Sequence, residues 1–278
     1  MHLRQMSLRL TSATLIATAL FAFQLPFKEY PGVEYRIGSI PLPPDFGEKT
    51  EFVFCRLMFP GGPLDGYQQT GRFTGDYHRG LSLWTQDYPR ADRHFLEALR
   101  RLTRIHARSV EQVVDLEAGD DVYNWPFVYA VQAGEWGLTK EQGAILHEYL
   151  ERGGFFMADD IHGTGEIGEF DERIHYAYPG RQIQDIPDQD AIFHAVYDLD
   201  ARYQVPGSEH LDSGYKKDGR IPYWRAMYDE KGRITVAAIY NSDLGDSWEW
   251  ADSPRYPEKY SALGIRLTVN YIVYALTH

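Results

Sequence analysis

The strongest constraint on the fold is a helical pattern that runs through two glycines into a short apolar segment. Residues 139–152 read "TKEQGAILHEYLER" and place four apolar side chains at helical spacing, Ile145, Leu146, Tyr149 and Leu150. Thr139 and Gln142 have the spacing of a capping box, and Gly153 is positioned to end the helix. The segment "GFFMA" at 154–158 then has the length and character of a buried strand.

The same alternation of strands and helices continues along the chain. Strands are predicted at 51–59, 110–116, 127–132 and 154–158, helices at 89–107, near 166–176 and at 261–278, and a hairpin at 223–241 whose second strand is 233–240. Nearly continuous apolar strands separated by helices are typical of a parallel sheet that is covered on both faces. The predicted fold class is therefore α/β, a three-layer sandwich around a mainly parallel central sheet.

The first 50 residues differ from the rest of the 278-residue chain. Arg4 and Arg9 precede an uncharged apolar run at 10–22, which predicts a signal peptide or, if it is not removed, a membrane anchor. Residues 23–50 contain several prolines and predict an extended lead-in, which leaves 51–278 as one domain. The expected location is periplasmic or extracellular, with membrane contact only through the N-terminal segment if it is uncleaved.

Charge and cysteine content exclude several classes of function. Lys+Arg total 28 against 40 Asp+Glu, a net charge of −12, and no basic run is present, so nucleic acid is not an expected partner. The single cysteine, Cys55, allows no internal disulfide and lies in an apolar run, where a thiol is inert rather than nucleophilic. No G-x-S-x-G motif of ordinary α/β hydrolases occurs.

Polar residues directly after the strand at 154–158 are the first candidates for a site. In parallel sheets, ligands bind beyond the carboxyl ends of the strands, and here Asp159, Asp160 and His162 occupy that position. If the domain is catalytic, we expect Asp159 or Asp160 to act as general base and His162 as proton shuttle. The competing interpretation is that one aspartate caps the following helix.

Other strand ends add candidates for ligand binding. The strand at 110–116 is followed by acids, Asn124 and Trp125, and the strand at 233–240 by Asn241, Asp243, Asp246, Trp248 and Trp250. We take Trp125, Asn241, Asp243 and Trp248 as ligand-binding candidates, because carboxylates accept hydrogen bonds from hydroxyl groups and indole faces cover sugar rings. Asp87 and Arg90 join them as candidates, although the pattern favours an ion-pair network that fixes the start of a helix.

Four long segments resemble a known bacterial family. They are "WTQDYPRADRHFLEALRRLT", "YLERGGFFMADD", "IFHAVYDL" and the final 38 residues from Asn241, and the resemblance spans about 51 to 278. The family is known only as domain of unknown function 4159, and it is similar to class I glutamine amidotransferases, which have a flavodoxin-like α/β fold. Those enzymes carry a cysteine on a turn after a central strand. The corresponding turn here has Asp159, Asp160 and His162, so the resemblance implies the fold and not glutaminase activity.

Three functions remain open at this point. The first is binding of a small polar ligand, such as a saccharide or another cell-envelope component, at the acidic strand ends, with or without catalysis. The second is a non-catalytic module that contacts a protein partner in an envelope assembly. The third is a divalent-cation site, although the spacing D-D-x-H-x-x-x-E matches no strong metal motif, and no cofactor is otherwise predicted.

Overall fold

The structure, a computed structural model, describes residues 25–71 and 75–278. The predicted signal peptide or anchor at 1–22 therefore lies outside the described residues. Residues 25–50 contain no helix or strand. Within the two described ranges, no helix is both long enough and apolar enough to span a membrane.

Seven strands form one mixed sheet. They are β1 Cys55–Met58, β2 Gln112–Asp115, β3 Phe127–Ala130, β4 Phe155–Ile161, β5 Gln184–Asp185, β6 Tyr223–Tyr228 and β7 Ile234–Tyr240. Their order across the sheet is β2-β1-β3-β4-β7-β6-β5. The first five in that order run parallel to one another, and β6 is antiparallel to both of its neighbours. The mainly parallel sheet and the hairpin at 223–241 are confirmed.

Helices cover both faces of this sheet. They are α1 Gly66–Gln69, α2 Arg90–Leu102, α3 Lys140–Glu151, α4 Gly163–Ile174, α5 Leu244–Glu249 and α6 Glu258–Thr277. Side chains of α3 and α4 join one apolar cluster, whereas side chains of α2, α5 and α6 join a second. The strands β3, β4, β6 and β7 contribute residues to both clusters, as Phe155 and Phe156 of β4 do, so the sheet is the middle layer of an α/β sandwich.

The helix that leads into β4 begins and ends as its sequence predicts. Thr139 Oγ1 accepts from the Gln142 N–H at 3.1 Å, and Gln142 Oε1 accepts from the Thr139 N–H at 3.1 Å. Gly153, with φ of 103°, then reverses the chain in a conformation that residues with a Cβ rarely adopt. The short helix α5 was not predicted, because the segment after Asn241 looks like a polar loop.

The carboxyl end of β4 is irregular. Its pairing with β7 shifts register between Ala158 and Ile161, which places Asp159 and Asp160 in a bulge. Bulges are frequent beside functional sites because they change the direction in which a side chain points. Here the bulge directs the adjacent carboxylates of Asp159 and Asp160 into different surroundings.

Candidate ligand-binding cavity

Asp159 is buried and fully engaged by the protein itself. Its Oδ2 accepts from Tyr129 Oη at 3.0 Å, from the Leu244 N–H at 3.0 Å and from the Gly245 N–H at 2.9 Å. Burial and the nearby Asp160 raise the pKa of Asp159 to about 7, against the effect of the two backbone donors. Asp159 therefore fixes the N-terminus of α5 to the end of β4.

The interpretation that Asp159 or Asp160 caps the helix after β4 is wrong. The first N–H groups of α4 donate elsewhere, from Gly163 to Asn241 Oδ1 at 2.9 Å and from Thr164 to Asp218 Oδ1 at 2.9 Å. Asp159 does accept the first N–H groups of a helix, but that helix is α5. Asn241 also donates to the Ile221 carbonyl, so its amide holds loop backbone in place.

Asp160 lies in the bulge with φ of 55°, a left-handed conformation that is costly for a residue with a side chain. Its Oδ1 is 2.6 Å from His162 Nε2 and 3.3 Å from Lys216 Nζ. Burial opposes ionisation, but Lys216 and His162 together lower the pKa of Asp160 to about 2. Burial also lowers the pKa of His162. An acid this strong is a weak general base at neutral pH, so the proposed base role is poorly matched to Asp160.

A cavity of about 610 Å³ opens beside the carboxyl ends of β3, β4 and β7. Its wall contains six carboxylates, Glu34, Asp87, Asp160, Glu209, Asp243 and Asp246. The cationic or potentially cationic groups in the same wall are Lys216 and His210. The volume lies in the range of small-molecule sites, and the balance of charge is strongly negative.

Strained backbone is concentrated around this cavity. Six described residues other than glycine have positive φ, and four of them line the cavity, Leu81, Asp87, Gln132 and Asp160. Of the other two, Lys217 directly follows Lys216 of the cavity wall, and Asn241 lies two residues before Asp243. Such conformations persist only where the surrounding structure holds them, and they cluster at functional sites.

Asp87, Asp243 and Asp246 form the densest group of acids in the cavity. Asp243 accepts the Asp246 N–H at 2.8 Å, and Asp246 Oδ2 accepts the Ser208 N–H at 2.6 Å. Asp87 is 2% exposed, and its Oδ2 has no hydrogen-bond partner among the described residues. Burial, followed by repulsion from neighbouring acids, raises the pKa of both Asp87 and Asp243 well above the usual range.

The predicted tryptophans do not line the cavity. Trp248 is 0% exposed and packs against Phe95, with ring centroids 4.9 Å apart, so neither face is open to a sugar. Trp125 precedes β3 and lies at the amino edge of the sheet, beside Gly153 and Gly154. The indole in the cavity wall belongs to Trp250.

Arg90 lies at the rim and is engaged by the protein. Its guanidinium is 2.7 Å from Asp252 and 5.0 Å from the centre of the Trp250 ring. It also donates to Tyr35 Oη at 3.3 Å. Arg90 therefore supports Trp250 in the cavity wall. This is a structural role, which was the alternative to ligand binding for Arg90.

Several cavity residues carried no signal in the sequence. Glu34 comes from the lead-in and accepts the Asp87 N–H at 3.0 Å. Gln132 and Lys216 come from loops, and Glu209 and His210 from a short 3-10 helix at Ser208–His210, and no periodicity marks any of them over its neighbours. Only their joint position at the carboxyl ends of the strands identifies them.

The cysteine is not part of the site. Cys55 lies in β1 and is completely buried, and burial raises the pKa of its thiol well above the usual range. A thiol in this setting is not a nucleophile. The prediction of an inert, buried cysteine is confirmed.

The fold and the cavity together define an α/β domain with an acidic cavity at the carboxyl ends of a mainly parallel sheet. Residues 77–276 match the family described as Domain of unknown function (DUF4159), and the chain belongs to this family. The resemblance to it is confirmed over most of the predicted range. No curated protein matches the chain.

Proposed function

We propose that this chain is an exported domain that binds a small polyhydroxylated ligand, a saccharide of the cell envelope, in the acidic cavity. The observation that carries this proposal is the 610 Å³ cavity with six carboxylates at the strand carboxyl ends. Parallel sheets bind ligands at this edge, and the concentration of strained residues there supports a binding role.

The chemistry of the wall favours a neutral, hydroxyl-rich ligand over an anion. Asp160 is held ionised by Lys216 and accepts hydrogen bonds from hydroxyl groups, while Lys216 and the Ser208 hydroxyl can donate. Trp250 supplies a flat apolar surface in the same wall. A phosphate or carboxylate ligand would meet a predominantly negative wall and be repelled.

A class I glutamine amidotransferase-like fold and export from the cytoplasm are part of the same proposal. Five adjacent parallel strands between two helical layers support a class I glutamine amidotransferase-like architecture. The buried Cys55 and the turn at Asp159 and Asp160 supply no nucleophilic thiol, so the proposed activity is binding. Export rests on Arg4, Arg9 and the apolar run at 10–22, and N-terminal sequencing of protein recovered from the cell envelope tests it.

Calorimetric titration with defined sugars tests ligand binding. The probes are glucose, N-acetylglucosamine and soluble peptidoglycan fragments, added to the purified protein with calcium present. We expect saturable binding of at least one probe, and a loss of about tenfold in affinity in Asp160→Asn, because a charge-assisted hydrogen bond is removed. The matched control is Asp198→Asn, an exposed acid outside the cavity wall that pairs with His194, and it should leave the affinity unchanged.

Two outcomes would contradict this proposal. One is that no probe binds at millimolar concentration while the protein is folded. The other is that Asp160→Asn and the control Asp198→Asn both bind as well as the unchanged protein. Either result would favour the alternative in which this face contacts a protein partner of the envelope.

A further inference from the structure

We infer that Asp87, Asp243 and Asp246 bind a hard divalent cation at the acidic wall of the cavity. Each of the three offers an oxygen, and these oxygens lie within 4.8 Å of one another. Ligand oxygens lie about 2.3–2.6 Å from a bound Ca²⁺, so two of them on opposite sides of the ion are about 5 Å apart. The spacing of the three carboxylates therefore matches a shared ion.

A second observation is the unpartnered oxygen of Asp87. The residue is almost fully buried, its Oδ1 accepts from Gln86 Nε2 at 3.2 Å, and its Oδ2 has no partner among the described residues. An unsatisfied buried carboxylate oxygen is costly. A cation bound at Oδ2 removes that cost.

Two glycines show where the carboxylates converge. A Cβ atom placed on Gly245 would lie 2.5 Å from Asp87 Oδ2 and 3.6 Å from Asp243 Oδ1, so these two oxygens face the same small space. A Cβ atom on Gly207 would lie 2.8 Å from Asp243 Oδ2 and 2.9 Å from Asp246 Oδ2. The absence of side chains at both positions lets three carboxylates approach one another.

No lysine or arginine of the described residues forms a salt bridge with this group. Among the described residues, none of the three carboxylates forms a salt bridge with a lysine or arginine, and Lys216 is paired with Asp160 instead. The neighbouring set of Asp160, His162 and Asp243 is less suited to a cation, because Lys216 already neutralises Asp160. Asp87, Asp243 and Asp246 are thus three carboxyl groups that have no salt-bridge partner among the described residues.

The donor set selects the class of ion. Three carboxylates without a thiolate or imidazole favour Ca²⁺, Mg²⁺ or Mn²⁺ over Zn²⁺. Three protein ligands leave coordination positions open toward the cavity, where water or a ligand hydroxyl can bind. The inference stands apart from the identity of the organic ligand, because the ion contacts the protein through Asp87, Asp243 and Asp246 alone.

Titration of chelator-treated protein with CaCl₂ and MnCl₂, without any sugar, tests this site. Calorimetry should show one saturable cation per chain, and the cation should raise the Tm. We expect Asp87→Asn to lower the affinity by about tenfold or more, because it removes the ligand with the unpartnered oxygen. Glu209→Gln is the matched control, since it removes one negative charge from the same cavity outside the group of three, and its affinity should change little.

The inference is overturned if no saturable cation binding occurs at millimolar concentration, or if Glu209→Gln weakens binding as much as Asp87→Asn. Asp87→Asn should stay folded, since the only hydrogen bond to the Asp87 side chain among the described residues comes from Gln86, and the circular dichroism spectrum of the variant verifies this. Cation binding without sugar binding contradicts only the saccharide proposal. Sugar binding that survives chelation, with no cation bound, contradicts only this inference.

Discussion

Two groups of buried acids lie around the start of α2, and the protein compensates only one of them. Asp92, in the first turn of the helix, accepts hydrogen bonds from Arg56 Nε at 2.7 Å and from Arg56 Nη2 at 2.6 Å. Asp87, just before the helix, is equally buried and meets three acids, Asp246, Glu249 and Glu34. Asp92 has its counterion in place, whereas Asp87 has no salt-bridge partner among the described residues and keeps one carboxylate oxygen without a hydrogen bond, which points to a ligand from outside the chain.

The compensated group is built as a network. Arg56 is completely buried and also donates to the carbonyl groups of Trp84 and Gln86. Beside it, Arg93 Nε lies 3.3 Å from Glu111 Oε2. Each charge in this region has an opposite charge within hydrogen-bond distance, which is the condition under which a buried ion pair is tolerated.

The largest effect is expected from breaking the compensated group. Arg56→Met leaves Asp92 buried and unpaired, so we expect the free energy of unfolding to fall by about 3–5 kcal/mol. Chemical denaturation measures this change. The double variant Arg56→Met/Asp92→Leu should recover most of the loss, because both charges are removed together. Equal destabilisation in the single and double variants would contradict the importance of compensation.

An intermediate effect is expected from the first of the two adjacent aspartates. Asp159→Asn removes the carboxylate that accepts the Leu244 and Gly245 N–H groups, so we expect a loss of about 1–3 kcal/mol in the free energy of unfolding. Asp160→Asn is the comparison, and a loss in the same range is expected, because Lys216 and His162 lose their paired carboxylate, although asparagine tolerates the left-handed backbone at this position. An unchanged free energy of unfolding in Asp159→Asn would contradict its structural role.

The smallest effect is expected from Asp87. In chelator-treated protein, Asp87→Asn should leave the free energy of unfolding unchanged or raise it by about 0.5–1 kcal/mol, because it removes repulsion between buried acids. Urea denaturation with and without CaCl₂ measures both states. The cation should stabilise the unchanged protein and not the variant. A destabilisation comparable to that of Arg56→Met would show that Asp87 serves the fold.

The features that could be predicted from sequence are those determined by neighbouring residues. Thr139 and Gln142 are three residues apart and cap α3 through contacts with each other, so their pattern is readable without a structure. The apolar runs around Phe155 and Ile234 predict buried strands for the same reason. The position of Asp159 and Asp160 at a strand end followed from the parallel arrangement of those strands.

The features that could not be predicted depend on distant contacts. Trp125, Trp248 and Trp250 all follow strand ends with polar residues, so the sequence does not distinguish them. Packing buries Trp248, places Trp125 at the amino edge of the sheet and places Trp250 in the cavity wall. Strand order matters too, because β1 and β3 separate β2 from β4 and keep the acids after β2 away from Asp160. The pairing of Lys216 with Asp160 spans 56 residues, and no local pattern encodes it.

The wall of the cavity includes residues of the lead-in at 25–50, which lie outside the family match. The family match begins at residue 77, yet Val33 and Glu34 form part of the wall, and β1 lies between β2 and β3. A fragment cut to the family limits would lose a strand from inside the sheet and leave the acidic pocket as an open trough. Substitutions at Val33 and Glu34 would therefore change the wall of the cavity without altering any strand of the sheet.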